Sequence, residues 1–240
     1  MSGVIHSFES LAAVDGEGLR YAVFLAGCPL RCVYCHNPDT WGRDGGVVME
    51  AEALARKLSR YKPYFGSEGG VTFSGGEPLL QAEFLQEMIP LLREREIGYI
   101  VDTSGAVPLT DSVKEVLAGA QSVILDLKFS TDKDYRRYTG RGIEQVLETL
   151  AYLDSIGMKT RIRTVIVPDL NDTEEALRGY VEMVGRYACV FRYELLAFHT
   201  MGFFKYEKLG IENPLAGKSA LDPAVKDRLQ RFVDQAMKKA

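Results

Sequence analysis

Residues Arg20–Asn37 read RYAVFLAGCPLRCVYCHN: a run of strand formers, a glycine, then three cysteines, Cys28, Cys32 and Cys35, within eight residues. In α/β proteins a strand that runs into a ligand-rich loop is where chemistry collects, at the C-terminal ends of parallel strands. Five further short β-type runs follow, in GGVTFSGG, IGYIVDT, SVILDLK, TRIRTVIVP and CVFRYELLAF, each ending in a polar or Gly-rich turn. Helical patterns alternate with them. Phe84, Met88 and Leu92 recur at i, i+4 and i+8, although Pro90 inside that pattern is expected to kink the helix or move its boundary. Val146, Leu150 and Leu153 mark another helix, and Thr173 is a cap for the next. Asp222-Pro223 opens a last helix with an apolar stripe of Val225, Leu229, Phe232 and Ala236. Six β/α alternations predict a partial (β/α)6 TIM-type barrel of parallel strands with helices outside, short of the eight units of a closed barrel. With no repeat, low-complexity tract or linker, residues 1–240 are expected to form one domain.

Composition narrows the function. A net charge of −4 argues against a nucleic-acid binder, which needs a basic surface. No run approaches the roughly 20 apolar residues of a membrane span. The start, MSGVIHSFES, lacks the basic and apolar regions of a secretory signal, so a cytoplasmic protein is expected. In that compartment clustered cysteines indicate metal binding or catalysis rather than disulfides.

The cysteine loop has three readings. Cys32-Val-Tyr-Cys35-His36 matches the C-x-x-C-H attachment pattern of c-type haem, but that needs an exported protein and leaves Cys28 unused. Zinc would take three thiolates and His36, yet His36 directly follows Cys35 and no second ligand pair exists. Cys189, far away at the start of an apolar strand, reads as a buried thiol. A [4Fe-4S] cluster held by three thiolates is the third reading; it leaves one iron open to a small molecule.

The spacing C-x3-C-x2-C directly after the first strand resembles the signature of the radical S-adenosylmethionine (SAM) superfamily. Within it the chain is similar to the activating enzymes of glycyl radical enzymes, of the pyruvate formate-lyase type. The likeness runs from IHSFES through VDGEGLR, the cysteine loop, SGGEPLLQ and LDLK to LLAFH. It implies that Cys28, Cys32 and Cys35 hold a [4Fe-4S] cluster at which SAM is reductively cleaved. The resulting 5′-deoxyadenosyl radical would take a hydrogen atom from a glycine Cα of the partner, pyruvate formate-lyase. The alternatives are another glycyl radical enzyme as partner, or a radical SAM enzyme acting on a small molecule. Reduced flavodoxin or ferredoxin is the implied electron donor, and a monomer with no nucleic-acid or membrane partner is expected.

The resemblance also assigns strand-end residues. Gly75, Gly76 and Glu77 match the motif that binds the SAM amino group; glycines permit close backbone approach and a carboxylate accepts from an ammonium. Asn37, Asp102, Asp126, Lys128 and His199 match SAM-contacting positions. Lys128 is suited to the methionine carboxylate, and Asp102 and Asp126 to a monovalent cation. Asp15 and His36 match positions facing the partner's glycine loop. Arg163 joins them as a candidate, because a barrel-facing arginine needs an anion or peptide carbonyl, although an arginine leaning to solvent fits its position equally well. One departure is the turn Asp15-Gly16-Glu17-Gly18, where the family has proline at the third position. Residues 41–71 contain no cysteine, so the ferredoxin-like insert of many other activators is absent and a single cluster is expected.

Overall fold

The computed structural model describes residues 1–238. The chain forms two compact units, one of Met1–Pro29 with Thr40–Ile124 and one of Leu30–Asp39 with Leu125 onward.

In the first unit lie β1 (Ser2–Ala12), β2 (Arg20–Leu25), β3 (Val47–Glu50), β4 (Gly70–Gly75), β5 (Tyr99–Thr103) and the start of β6 (Ser122–Asp126), in the order β3-β1-β2-β4-β5-β6. The pairs β2–β4 and β4–β5 are parallel, as the continuous apolar runs require. Helices α1 (Ala51–Ser59), α2 (Lys62–Phe65), α3 (Ala82–Glu94) and α4 (Asp111–Ala118) connect them. Phe84, Leu85, Met88 and Leu92 of α3 are buried, and α1 and α4 pack on that helix. Each such side chain fully buried stabilises the fold by about 1.5–3 kcal/mol.

Two strands depart from the six-strand expectation. β1 and β3 pair antiparallel, β1 with β2 and β3 with β1. The register of β1 shifts twice, and Leu11 adopts φ +61°, so its sequence shows no clean alternation. Pro90 also departs from expectation, since α3 runs through it from Ala82 to Glu94. Pro90 is exposed while the stripe around it is buried. The backbone bond it cannot make is lost on the wet side, where water takes up the freed carbonyl, and packing keeps the helix intact.

The VDGEGLR turn is held by Arg20, which is 1% exposed. Its guanidinium donates to Thr72 Oγ1 (2.8 Å) and to the carbonyls of Val71 (2.8 Å), Glu17 (2.9 Å) and Glu68 (3.1 Å). Burial pulls its pKa down to about 10, opposed by the charges of Glu17 and Asp15. A fixed arginine fork supplies the rigidity that proline would have given the turn.

The second unit contains the end of β6, then β7 (Thr160–Ile166) and β8 (Val190–Ala197), in the order β6-β7-β8, with β7 and β8 parallel. Its helices are α5 (Asp132–Thr139), α6 (Glu144–Ser155), α7 (Glu174–Val184), α8 (Phe203–Leu209) and α9 (Pro223–Met237). Thr173 caps α7 through Ala176 N (3.1 Å) and Asp222 caps α9 through Ala224 N (2.8 Å), as the sequence suggests. The stripe of α9 is rotated from the expected one: Leu229 and Val233 are fully buried, whereas Phe232 is half-buried under the Arg178 guanidinium. Cys189 is a buried thiol, its pKa pushed up to about 11 by burial. Among the described residues no helix is long and apolar enough to cross a membrane.

Candidate functional site: the strand-end loops

In the first unit the candidate residues gather where β2, β4 and β5 end. Gly27 N donates to Thr40 O (2.7 Å) and Cys28 N to Trp41 O (3.2 Å), which fixes the backbone at the first cysteine. The Gly75-Gly76-Glu77 turn is zipped to the same segment: Gly76 N donates to Leu25 O (2.9 Å) and Glu77 N to Gly27 O (2.8 Å). A Cβ on Gly75, whose φ is +115°, would lie 2.3 Å from Leu25 O, and one on Gly76 would lie 2.3 Å from Gly27 O. The glycines are therefore required first by the chain's own backbone, ahead of any ligand.

Glu77 is fully buried. Its carboxylate accepts from Leu79 N (3.0 Å), Thr103 Oγ1 (2.7 Å), Ser104 N (2.8 Å) and Ser104 Oγ (2.5 Å). Burial pushes its pKa up and these donors pull against the shift. Chemically it is a strut that ties the Gly-Gly-Glu turn to the end of β5. Substituting Glu77→Ala strands four donors and should lower stability by roughly 3–5 kcal/mol. Chemical denaturation would read that loss, and a midpoint within error of the parent would refute the strut. Nearby, Ser74 Oγ donates to Asp102 Oδ2 (2.8 Å), and Asp102 is nearly buried. Asp15 contributes its carbonyl to Thr72 Oγ1 (2.7 Å).

In the second unit the cysteine loop is pinned by backbone bonds from Arg31 N to Thr139 O (2.8 Å), Val33 N to Tyr138 O (2.9 Å) and Cys35 N to Cys32 O (3.0 Å). Cys32 is buried and Cys35 partly exposed; all the chain's cysteines are free thiols. His36 and His199 stack with ring centres 3.7 Å apart and planes 5° apart, and His36 Nε2 donates to His199 O (2.7 Å). Burial lowers the His36 pKa, which keeps the ring neutral at pH 7. His199 Nδ1 and the Tyr34 hydroxyl are buried and have no hydrogen-bond partner.

Asp126, at the end of β6, meets two cations: Lys128 Nζ at 2.6 Å and Arg163 Nε at 3.2 Å. Arg163 thus takes the buried position and does not lean to solvent. Burial pushes the Asp126 carboxyl up, but Lys128 and Arg163 together hold it below the ordinary carboxylate range. For Lys128 burial acts downward, and the charge of Asp126 outweighs it to give a raised pKa. Asp126 holds both cations among side chains only 11–24% exposed. Lys128 gives one N–H to Asp126, and its ammonium keeps further donors suited to an anionic ligand.

Helix α8 adds residues that motif reading did not find. Lys205 Nζ donates to Asn37 Oδ1 (2.7 Å) and lies 3.0 Å from Asp39, and Tyr206 donates its hydroxyl to Cys35 O (3.0 Å). Among the described residues no three His, Cys, Asp or Glu side chains stand at metal-ligand spacing.

The family model of the radical SAM superfamily matches residues 23–180. The chain belongs to the radical SAM superfamily. It is 43% identical to a pyruvate formate-lyase-activating enzyme of Clostridium pasteurianum over 98% of both chains. It is 37% identical to pyruvate formate-lyase 1-activating enzyme of Escherichia coli K12, over 97% of this chain and 96% of that one. Among solved structures, SuiB of Streptococcus suis bound to S-adenosylmethionine aligns with a TM-score of 0.68 at 19% identity, over 88% of this chain. This chain spans under half (45%) of that protein. A domain of a Bacteroides vulgatus pyruvate-formate lyase-activating enzyme aligns with a TM-score of 0.57 at 21% identity, over 70% of this chain and 94% of that one. The α/β fold is thus shared with both structures.

Proposed function

We propose that this radical SAM chain, acting as a single domain, is an activase of pyruvate formate-lyase. The observation that carries the reading is 43% identity running the whole length of an activating enzyme of that kind. Cys28, Cys32 and Cys35 would hold a [4Fe-4S] cluster. The donor chemistry fits: three free thiols at C-x3-C-x2-C spacing on one loop, none in a disulfide. When bound, the cluster and SAM supply a 5′-deoxyadenosyl radical that removes a Cα hydrogen from a glycine of the partner.

The chain's own residues bind and orient. Lys128, through the ammonium donors not given to Asp126, takes the methionine carboxylate of SAM. The Gly75-Gly76-Glu77 turn presents backbone groups to the amino group, since the Glu77 carboxylate is fully engaged. Asn37 and His199 complete the SAM contacts, His199 through its buried Nδ1, which has no hydrogen-bond partner among the described residues. Asp102 remains the candidate carboxylate for a monovalent cation, Asp126 being held by Lys128 and Arg163, and Asp15, His36 and Arg163 face the partner's glycine segment. We place the protein in the cytoplasm as a monomer, reduced by a flavodoxin or ferredoxin.

The test is anaerobic incubation of the iron-reconstituted protein with SAM, a reductant and pyruvate formate-lyase, followed by EPR. A glycyl radical doublet on the lyase is expected. SAM cleavage with no radical on the lyase would remove it as the partner.

A further inference from the structure

Helix α5 separates its charges along its length. Asp132 and Asp134 occupy the first turn, where Asp132 pairs with Arg136 (2.7 Å) and accepts from Ile143 N (3.0 Å), and Asp134 accepts from Thr131 (2.7 Å). Arg136 is further neutralised by Glu144 (2.6 Å). What the far end then presents is Arg137 and, beyond the helix, Arg141, both exposed and without an ion pair among the described residues. Arg137 lies over the Tyr138 ring, 5.1 Å from its centre.

This cationic end is placed against the cysteine loop. The loop's Arg31 N bonds to Thr139 O and its Val33 N to Tyr138 O, and Gly140 approaches to within 3.9 Å of Arg31 Cβ, measured from an ideal Cβ built on that glycine. Arg31 is itself exposed. Three exposed arginines, 31, 137 and 141, therefore lie on two segments joined by backbone bonds, one of which carries Cys32 and Cys35, on a chain whose net charge is −4. A cationic patch against the overall sign of the protein is a focusing surface for an anionic partner.

We propose that Arg31, Arg137 and Arg141 form the docking surface for the electron donor, a small acidic electron-transfer protein. This rests on the activase reading, in which the cysteine loop must receive one electron from outside the chain. The exchange balances simply: the carrier's reduced centre loses one electron, the chain gains one, and no bond is made or broken. The end of α5 is bonded to the loop backbone at Arg31 and Val33, so docking there brings the carrier up to the segment that bears Cys32 and Cys35. Steered association between opposite charges raises encounter rates and falls steeply with salt.

The experiment compares the parent with Arg137→Glu/Arg141→Glu and with the neutral pair Arg137→Gln/Arg141→Gln, each reconstituted anaerobically. SAM cleavage is driven either by reduced flavodoxin or by dithionite, which needs no docking site. The acidic pair should raise the KM for flavodoxin about tenfold at low ionic strength, the neutral pair less, and dithionite-driven rates should stay unchanged. Raising ionic strength towards about 1 M, where the Debye length falls to about 3 Å, should erase the difference. Equal KM values for parent and both variants would overturn the docking surface. Absence of dithionite-driven cleavage in the parent would instead overturn the activase reading beneath it.

Discussion

The Cys32→Ala protein is expected to fold, to retain almost no iron after reconstitution and to cleave no SAM. None of the cysteines is in a disulfide, so the substitution removes no cross-link. Cys32 is 8% exposed and its loss leaves at most a small cavity, so unfolding should shift by no more than about 1 kcal/mol. The backbone around it is held by Arg31, Val33 and Cys35 N–H groups, none of which uses the thiol. The chemistry, by contrast, loses one of three thiolate ligands. Glycyl radical formation should fall by at least about a thousandfold, equivalent to some 4 kcal/mol. Cys189→Ala is the matched control, because that buried thiol should leave iron content untouched. Iron analysis, circular dichroism and EPR on the pair decide it, and an iron-replete, active Cys32→Ala protein would sink the assignment.

The second large effect concerns the Asp126 cluster, where binding and folding should come apart. Lys128→Met leaves Asp126 with Arg163, a neutral pair, so the fold should keep most of its stability. It removes the ammonium, and SAM affinity should drop roughly 10- to 100-fold, the loss expected for a charge-assisted contact. Asp126→Ala does the opposite by taking away the carboxylate that Lys128 and Arg163 share. That should cost about 3–5 kcal/mol of stability. Equilibrium binding of SAM and urea unfolding on both variants give the two readouts. If Lys128→Met bound SAM as tightly as the parent, the carboxylate would have to be held elsewhere.

Much of the architecture is legible in the sequence for a physical reason. The six expected runs appear as β2, β4, β5, β6, β7 and β8, and β2, β4, β5 and β6 are buried along nearly their whole length, as strands covered on both faces are. β1 and β3 escape because an irregular antiparallel pair near an edge mixes polar and apolar residues without period. Pro90 misleads because propensity counts a lost bond without knowing which side of the helix is wet. Cysteines, glycines and strand-end charges are legible because chemistry restricts residue type. Lys205 and Tyr206 are not, since a lysine and a tyrosine on a short helix carry no signature. Their bonds to Asn37 and Cys35 span 168 and 171 residues. The glycines of the Gly75-Gly76 turn were flagged for ligand approach, and the structure adds a nearer cause in the Leu25 and Gly27 carbonyls.

The grip of α8 on the cysteine loop has a consequence for biogenesis. A ribosome adding roughly 5–20 residues per second completes Cys35 some ten to thirty seconds before Tyr206 emerges. Until then the Cys35 carbonyl lacks its hydroxyl donor and Asn37 its ammonium partner. The loop's bonds to Tyr138 and Thr139 likewise wait until those residues exist. Iron–sulfur delivery to a settled loop is therefore an event of the finished chain, and truncation before α8 should yield a protein that accepts iron poorly however well its earlier strands have formed.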